Sequence, residues 1–424
     1  MSRLSFVIIL LWLIPSSVLR ADPEQNLTLT EFLHRVTQEN LDLAAARFQV
    51  PLAKAQVEVA KVFPDPMLTG GVAQLDVSGQ SAPLMTTLGV TLPIELGGKR
   101  SGRVAVAEAE VSVAEAELFD TLRKLRAEAA SAYVASLTAR LVLERKHKTL
   151  ASLDRLVEVN TKRVASGEAG EVALIQSRVE NQRYRGEVLT AEADLEAADL
   201  ELRRFLGRAA PGRGQKLLVD GNLAIPPRLF DMETLCQAAR RQRPDLLAKR
   251  RSEDSAQAKV RLARRNRWVD VSLNVSWQRS LFSEPFASPQ YDALTAQLSM
   301  PLPLSRMYRG ELLSAKQGEG LAVASYQAAA LRAEVEVQQA LVRYKAAVQQ
   351  LALYTQGVVA DADRVLAAIL YSYQRGGATL LEVLTAQRTV DDVHLAYFAA
   401  LAEHARQLIA VEQAAGLDVD LFGR

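Results

Sequence analysis

The residues with the most reactive side chains are few and scattered along the chain. The 424 residues include one cysteine and four histidines, namely Cys236, His34, His147, His394 and His404. Asp391 and Asp392 lie close to His394 and share the donor atoms of a transition-metal site, but no second pair of ligands follows at a recognised spacing. The sequence therefore favours a solvated helical face here, and no metal site is predicted.

Two other patterns match known sites only in part. The run Gly97-Gly98-Lys99-Arg100 is rich in glycine and basic residues, but it lacks the spacing of a phosphate-binding loop. Cys236 has no intramolecular disulfide partner, and we expect a small buried apolar residue there. No nucleophile stands beside a base in a recognisable motif. An enzyme is therefore the least favoured class, and no catalytic residue or cofactor is predicted.

The first residues predict export. Arg3 precedes the apolar run FVIILLWLI, and small residues follow near Ala21. This pattern is typical of a secretory signal peptide, and the alternative is a short buried helix. No later segment has the 18 consecutive apolar residues of a transmembrane helix. The net charge of +2 with interspersed signs gives no indication of a nucleic-acid partner.

The stretch Val90–Arg100, VTLPIELGGKR, marks a change from alternating to helical spacing. Strands are predicted at about 67–77, 85–96 and 268–277. A fourth strand places four apolar residues on one side, Leu294, Ala296, Leu298 and Met300. Strands of about ten residues fit a tilted crossing of a bilayer, although packed hairpins of a soluble sheet are the alternative. A spanning sheet must close on itself, and four strands are fewer than the about eight of the smallest usual barrel. We therefore expect the chain to oligomerise.

Long Ala-rich segments with helical spacing dominate the rest of the chain. Helices are predicted from Lys99 to Ala165 and from about Met307 to Gln374, each followed by a return helix after a glycine-containing break. Shorter helices, kinked at Pro51 and Pro244, precede each pair of strands. A helix of roughly 67 residues spans about 100 Å and needs coiled-coil packing along its length.

The plan occurs twice, which indicates an internal duplication. Similar offsets separate four pairs of landmarks: Asp42 and Asp245, Pro93 and Pro301, Gly167 and Gly377, and Arg178 and Arg388. The predicted divisions are a signal peptide at 1–21, a first repeat at 22–207, a linker at 208–229, a second repeat at 230–416 and a tail at 417–424.

This duplicated plan resembles the TolC family of outer-membrane efflux proteins. The string LPIELGGKR at 92–100 is similar to the CzcC-like branch, which serves heavy-metal exporters of the resistance-nodulation-division (RND) type. The segments KRVASGEAGEVALIQSR at 162–178 and YQRGGATLLEVLTAQR at 373–388 resemble the periplasmic tips of the family.

The resemblance implies a mainly α fold with a small membrane β part. Three protomers would form an α-barrel of coiled-coil hairpins and a twelve-stranded β-barrel in the outer membrane of a Gram-negative bacterium. It implies an exit duct that passively conducts substrates, heavy-metal cations among them, from an inner-membrane RND-type pump through a periplasmic adaptor. Drug efflux and type I protein secretion are alternatives within the family. An exported structural coiled-coil protein is the alternative from another class.

The resemblance also assigns roles to individual residues. It places adaptor docking at the tips, where Arg163 and Glu171 are expected to be exposed for the partner. Glu382 matches a position where some members close the periplasmic entrance with a ring of acids, although Thr385 stands where a second acid is sometimes found. The tip residues are Arg163, Gly167, Glu171, Gly376 and Gly377. The joint between strand and helix is expected at Pro93, Gly97, Gly98 and Pro301.

Overall fold

A computed structural model describes residues 26–73, 84–210, 217–281, 291–302, 308–419 and 421. The predicted signal peptide, the turn near Ser78 and the start of the helix predicted at Met307 lie outside these ranges. The described part contains ten α-helices: α1 Leu29–Glu39, α2 Leu41–Arg47, α3 Gln49–Lys61, α4 Lys99–Ala165, α5 Glu171–Leu206, α6 Met232–Gln242, α7 Pro244–Arg265, α8 Arg309–Leu353, α9 Val359–Gln374 and α10 Leu380–Ala415. No helix in the described ranges combines the length and apolar character needed to cross a bilayer.

The helices form a long layer around α4. This helix has 67 residues and therefore spans about 100 Å. It packs against α3 and α7 near its start and against α5 over its remaining length. The shorter helices α3 and α5 therefore lie one after the other along α4. Alanines such as Ala129 and Ala130, both fully buried, allow this close approach.

Three helix predictions were wrong in detail. The first helix does not kink at Pro51, because the chain breaks at Asn40 and again at Phe48. Pro51 lies in the first turn of α3, where its missing N–H removes no helical hydrogen bond. Pro244 likewise begins α7, so the segment is two helices separated at Arg243.

The long helix of the second half is also interrupted. Between α8 and α9 the backbone takes a π-helical turn over Tyr354–Val358, and Gly357 has φ 118° and ψ −12°. Only glycine adopts such values at low cost. The first half has no counterpart, since α4 runs through the same level without a break.

The return helices α5 and α10 end in the same way, and both are 36 residues long. Gly207 and Gly416 have φ 54° and 73°. A Cβ at Gly207 would lie 2.4 Å from the carbonyl oxygen of Glu39. One at Gly416 would lie 3.0 Å from the backbone nitrogen of Arg243. Each return helix therefore ends against the break between two short helices.

Side chains at these breaks fasten the return helices. Asn40 caps α2 by accepting from Leu43 N at 2.9 Å, and its amide donates to Phe205 O at 3.0 Å. Arg243 takes the corresponding place and donates to Ala414 O at 3.1 Å. The two contacts lie beside a shared apolar core that includes Cys236, whose predicted burial is confirmed.

Residues 217–225 of the predicted linker are packed into this core. Strand β1 (Asn26–Leu27) pairs in parallel with β4 (Leu218–Val219), which lies within 208–229. The buried Tyr133 hydroxyl lies 2.7 Å from Leu27 O and 2.5 Å from Asp220 O, so it joins both strands to α4. The tail is held as well, because Val419 and Leu421 are buried in the same core.

The other four strands form one antiparallel sheet in the order β2 (Met67–Ala73), β3 (Leu84–Ile94), β5 (Val271–Leu281) and β6 (Asp292–Ser299). Their register places apolar side chains on one face, which comprises Leu68, Val72, Leu88, Val90, Leu92, Ile94, Leu273, Val275, Trp277, Leu294 and Leu298. The opposite face is polar and carries Thr69, Thr87, Thr91, Ser272, Asn274, Ser276, Gln278, Thr295, Gln297 and Ser299. No described residue covers the apolar face, since Leu68 and Leu294 are 74% and 78% exposed.

The joint from strand to helix is fixed by residues distant in sequence. Gly97 and Gly98 both have positive φ, and a Cβ at Gly97 would lie 2.6 Å from Trp268. Lys99 is buried and its Nζ lies 2.7 Å from Asp270, which also accepts from Leu96 N. Of the two prolines assigned to the joint, Pro93 is paired within β3 opposite Ser272, and Pro301 follows β6.

Replacing Gly207 with Ala is expected to destabilise the fold by about 2 kcal/mol or more, because φ is positive and the new Cβ meets the Glu39 carbonyl. Gly186→Ala is the matched control, since Gly186 lies inside α5 with open space around it. That change is expected to be neutral or to stabilise by up to ~1 kcal/mol. Thermal unfolding followed by circular dichroism measures both, and equal midpoints for the two variants would contradict this account.

Candidate functional site

The two hairpin tips, at the end of the layer far from the sheet, share one backbone design. Gly167 between α4 and α5 has φ 74°, and Gly376 between α9 and α10 has φ 77°. Glu168 N donates to Arg163 O at 2.9 Å, and Gly377 N donates to Ser372 O at 2.9 Å. The counterpart of Gly167 is therefore Gly376, and the predicted pairing of Gly167 with Gly377 was wrong by one residue.

Arg163 does not present its charge to solvent as expected. Its side chain is only 19% exposed, and the guanidinium lies 4.9 Å from the centre of the Tyr373 ring. It also donates to Tyr373 O at 3.2 Å, while the Tyr373 hydroxyl donates to Asn160 at 2.5 Å. Arg163 therefore ties the two tips together. Glu171, the first residue of α5, is exposed as predicted.

Glu382 belongs to a capping box at the start of α10. Its carboxylate accepts from Thr379 N at 2.6 Å and from the Thr379 hydroxyl at 2.9 Å, and Glu382 N donates back to Thr379 Oγ1. These donated hydrogen bonds lower the pKa of Glu382 below its usual value. The side chain is exposed, so it caps the helix while its negative charge faces solvent.

A buried polar cluster lies between α4, α5 and α10 on the sheet side of the tips. Asp391 accepts from Arg145 Nε at 3.0 Å, from Thr149 Oγ1 at 2.5 Å and from the hydroxyl of Tyr184. The carboxylate is buried, so the prediction of a solvated face was wrong for Asp391. Asp392 is exposed, as predicted. The spacing of polar residues in α10 predicted that Asp391 faces solvent. Its side chain instead meets polar side chains of the neighbouring helices α4 and α5.

An ion-paired group extends this cluster. Glu180 is buried and lies 2.7 Å from Arg183 and 2.9 Å from Arg388. Hydrogen bonds from Arg183, opposed by burial and reinforced by Arg388, lower the pKa of Glu180 to about 2. The carboxylate therefore stays ionised at any pH near neutral. The ion pair of Glu180 with Arg388 joins α5 to α10.

His394 lies on α10 and contacts Asp363 of α9, with Nε2 3.0 Å from the carboxylate. Within the described ranges, no group of three or more His, Cys, Asp or Glu side chains is placed to hold a metal ion. Several charged side chains of this region connect helices, among them Arg145, Arg163 and Arg388. What the arrangement provides is a rigid end to a long helical layer.

The fold and the tips together define a class of protein. A helical layer about 100 Å long is joined to a sheet whose one face is apolar and whose other face is polar. This is the architecture of the outer-membrane channels that carry a long helical extension, and it is a channel architecture rather than an enzyme fold.

The chain belongs to the outer membrane efflux protein family. The family model matches residues 32–208 and, separately, residues 235–417. The chain is therefore an efflux channel of the TolC type, and its predicted resemblance to that family is confirmed.

Similar proteins support this assignment to the family. The chain is 26% identical over 394 residues to the cobalt-zinc-cadmium resistance protein CzcC of Cupriavidus metallidurans, a match that covers 92% of this chain and 90% of that protein. Its fold is similar to that of CusC, with a TM-score of 0.72, 18% identity and coverage of 95% and 96%. The outer-membrane channel OprN gives a TM-score of 0.75, 20% identity and coverage of 92% and 90%.

Replacing Asp391 with Ala is expected to destabilise the tip half by about 3 kcal/mol, because Arg145 and Tyr184 would lose their buried acceptor. Asp392→Ala removes an exposed carboxylate from the next residue and is expected to change stability by less than ~0.5 kcal/mol. Hydrogen exchange measured over α5 and α10 reports the difference. Equal protection in the two variants would show that the cluster contributes no stability.

Proposed function

We propose that the chain forms a homotrimeric exit duct in the outer membrane of a Gram-negative bacterium. The two-faced sheet carries this proposal. Its apolar face is not covered by any part of the chain that the structure describes, and its polar face suits a water-filled lumen. The apolar band runs from Ile94 to Leu88, about 20 Å along the strand, and ends at the exposed Arg279–Asp292 ion pair.

The need to close the four-stranded sheet into a barrel supports a trimer. Four strands cannot close a barrel, and the outer edges of β2 and β6 have no strand partner among the described residues. Three copies would give twelve strands and remove all free edges, as a lipid environment requires. In this assembly each protomer contributes two repeats, 22–207 and 230–416, to a helical tunnel in the periplasm.

A duct of this kind works with other proteins. The tips at Gly167, Glu171, Gly376 and Gly377 would dock a periplasmic adaptor, which links the duct to an inner-membrane RND-type pump. Open backbone space around Gly167 and Gly376 supports this role, because a Cβ added at either glycine would have no atom within 4 Å. The similarity to CzcC over 92% of the chain supports heavy-metal cations as the cargo.

Two measurements test the duct and its cargo separately. The purified chain is expected to form water-filled pores in planar bilayers. Deleting it from its host is expected to lower tolerance to cobalt, zinc and cadmium ions, and restoring it should restore that tolerance. Absence of pores would overturn the duct. Pores together with unchanged metal tolerance and lower drug tolerance would reassign the cargo to drugs.

Glu382 would act at the periplasmic entrance, where three exposed carboxylates around a narrow pore favour cations. Glu382→Gln is expected to reduce the cation preference of the pore while leaving the helix start intact, because glutamine also serves in a capping box. Bilayer conductance under a salt gradient measures the preference. Thr379→Ser keeps the cap and the charge and is the control; unchanged cation preference in the Gln variant would exclude a gate role.

A further inference from the structure

The end of α7 nearest the sheet carries a basic stripe with an aromatic residue at its tip. Arg261, Arg264 and Trp268 follow the i, i+3, i+7 spacing of one helix face. Backbone hydrogen bonds from Arg267 N to Arg264 O and from Trp268 N to Arg265 O continue the turn beyond the helix. Arg267 therefore adds a third basic side chain beside the same stripe.

The three arginines of this stripe are exposed to solvent. Within the part of the chain that the structure describes, the guanidinium groups of Arg261, Arg264 and Arg267 form no ion pair. Two acidic groups at the joint already have partners, since Glu95 pairs with Arg103 and Asp270 with Lys99. The stripe is thus a local excess of positive charge.

Exposed aromatic side chains lie at the level where the sheet begins, Trp268 just after α7 and Phe63 after α3 on the other side of α4. Trp268 and Phe63 are each 64% exposed, and the Arg100 guanidinium lies 4.2 Å from the centre of the Phe63 ring. Val271 begins β5 three residues after Trp268. The stripe is therefore continuous with the lower end of the apolar band.

The stripe lies on a different side of α7 from a groove in the helical layer. α7 forms the floor of this groove between α4 and α8, and the α7 residues that line it include Lys249, Ser252, Ala256 and Lys259. At about 100° per residue, Arg261 is nearly half a helical turn and Arg264 about a third of a turn from the centre of these positions. In a closed tube with this groove on the inner side, the arginines would face away from the lumen.

We propose that Arg261, Arg264 and Arg267, with Trp268 as an interfacial anchor, bind anionic phospholipid headgroups at the periplasmic surface of the membrane. This inference rests on the proposed membrane-spanning duct. Tryptophan concentrates at the headgroup level, and exposed arginines beside a membrane attract anionic lipids. The occupant is a lipid surface rather than an acidic protein because the charge adjoins an exposed apolar band.

The fluorescence of Trp268 tests the proposal in the full-length protein. The chain has three tryptophans, one of them in the predicted signal peptide, so Trp277→Phe in the processed chain isolates the signal of Trp268. The trimer is reconstituted into phosphatidylethanolamine vesicles that contain equal amounts of phosphatidylglycerol. Either lipid is brominated in turn near its headgroup. Quenching is expected to be about threefold stronger, or more, when the phosphatidylglycerol carries the bromine.

Three variants in this background separate charge from folding. The first is a triple variant that replaces the arginines of the stripe with glutamine, Arg261→Gln, Arg264→Gln and Arg267→Gln. It is expected to make quenching by the two brominated lipids equal. The corresponding triple lysine variant should keep the stronger quenching by phosphatidylglycerol. Removal of three exposed charges elsewhere, by Arg178→Gln, Arg332→Gln and Arg343→Gln, is the matched control and should leave it unchanged. High salt should weaken the preference of the parent chain.

The outcomes are distinguishable from failure of the duct itself. Equal quenching by both lipids in the parent, or a preference that survives the Gln triple variant, overturns the lipid site while pore formation stands. Absence of quenching by either lipid, together with absence of conductance, overturns the membrane-spanning function on which the site depends.

Discussion

The need to pair every strand edge in a lipid environment is the constraint on which this molecule depends. β2 and β6 each present an outer edge with no strand partner among the described residues, and the apolar face of the four-stranded sheet is exposed in the part of the chain that the structure describes. An unpaired backbone group in hydrocarbon costs several kcal/mol, so an isolated sheet of this kind is unstable in a bilayer. In the proposed trimer, assembly would close the sheet, and the long helical layer would give the protomers their contact length. The joint at Gly97 holds sheet and layer in one orientation, and there the buried Lys99 pairs with the partly exposed Asp270.

Much of this architecture could be predicted from the sequence because its signals are local and repeated. The bounds of α4 and α5 agree with the prediction, since Gly167 and Gly207 stand where helices must end. The strands were predictable from the alternation of apolar and polar residues, and their faces follow from the same alternation. The interruption at Gly357 was missed because a single glycine within an Ala-rich helical pattern is usually tolerated.

The candidate site was harder to predict, since its contacts join residues far apart in sequence. Asp391 has the same spacing whether its helix face meets water or the polar side chains of other helices. Only the fold brings Arg145 and Tyr184 to it. Arg163 was placed at the correct tip but given the wrong environment, because its partner Tyr373 belongs to the other hairpin. The glycines at the tips predicted where the chain reverses direction. Which glycine of one tip corresponds to which of the other depended on backbone hydrogen bonds that only coordinates reveal.

The interruption between α8 and α9 makes the two hairpins of one protomer mechanically unequal. The first contains a continuous helix of 67 residues, whereas the second has a glycine-centred turn partway along. In a ring of three such chains, continuous hairpins and interrupted hairpins would alternate around the tunnel. The wall would then have two different compliances and would deform with threefold rather than sixfold symmetry. Duplication supplies two similar hairpins in each chain, and one glycine, Gly357, makes the second of them able to bend.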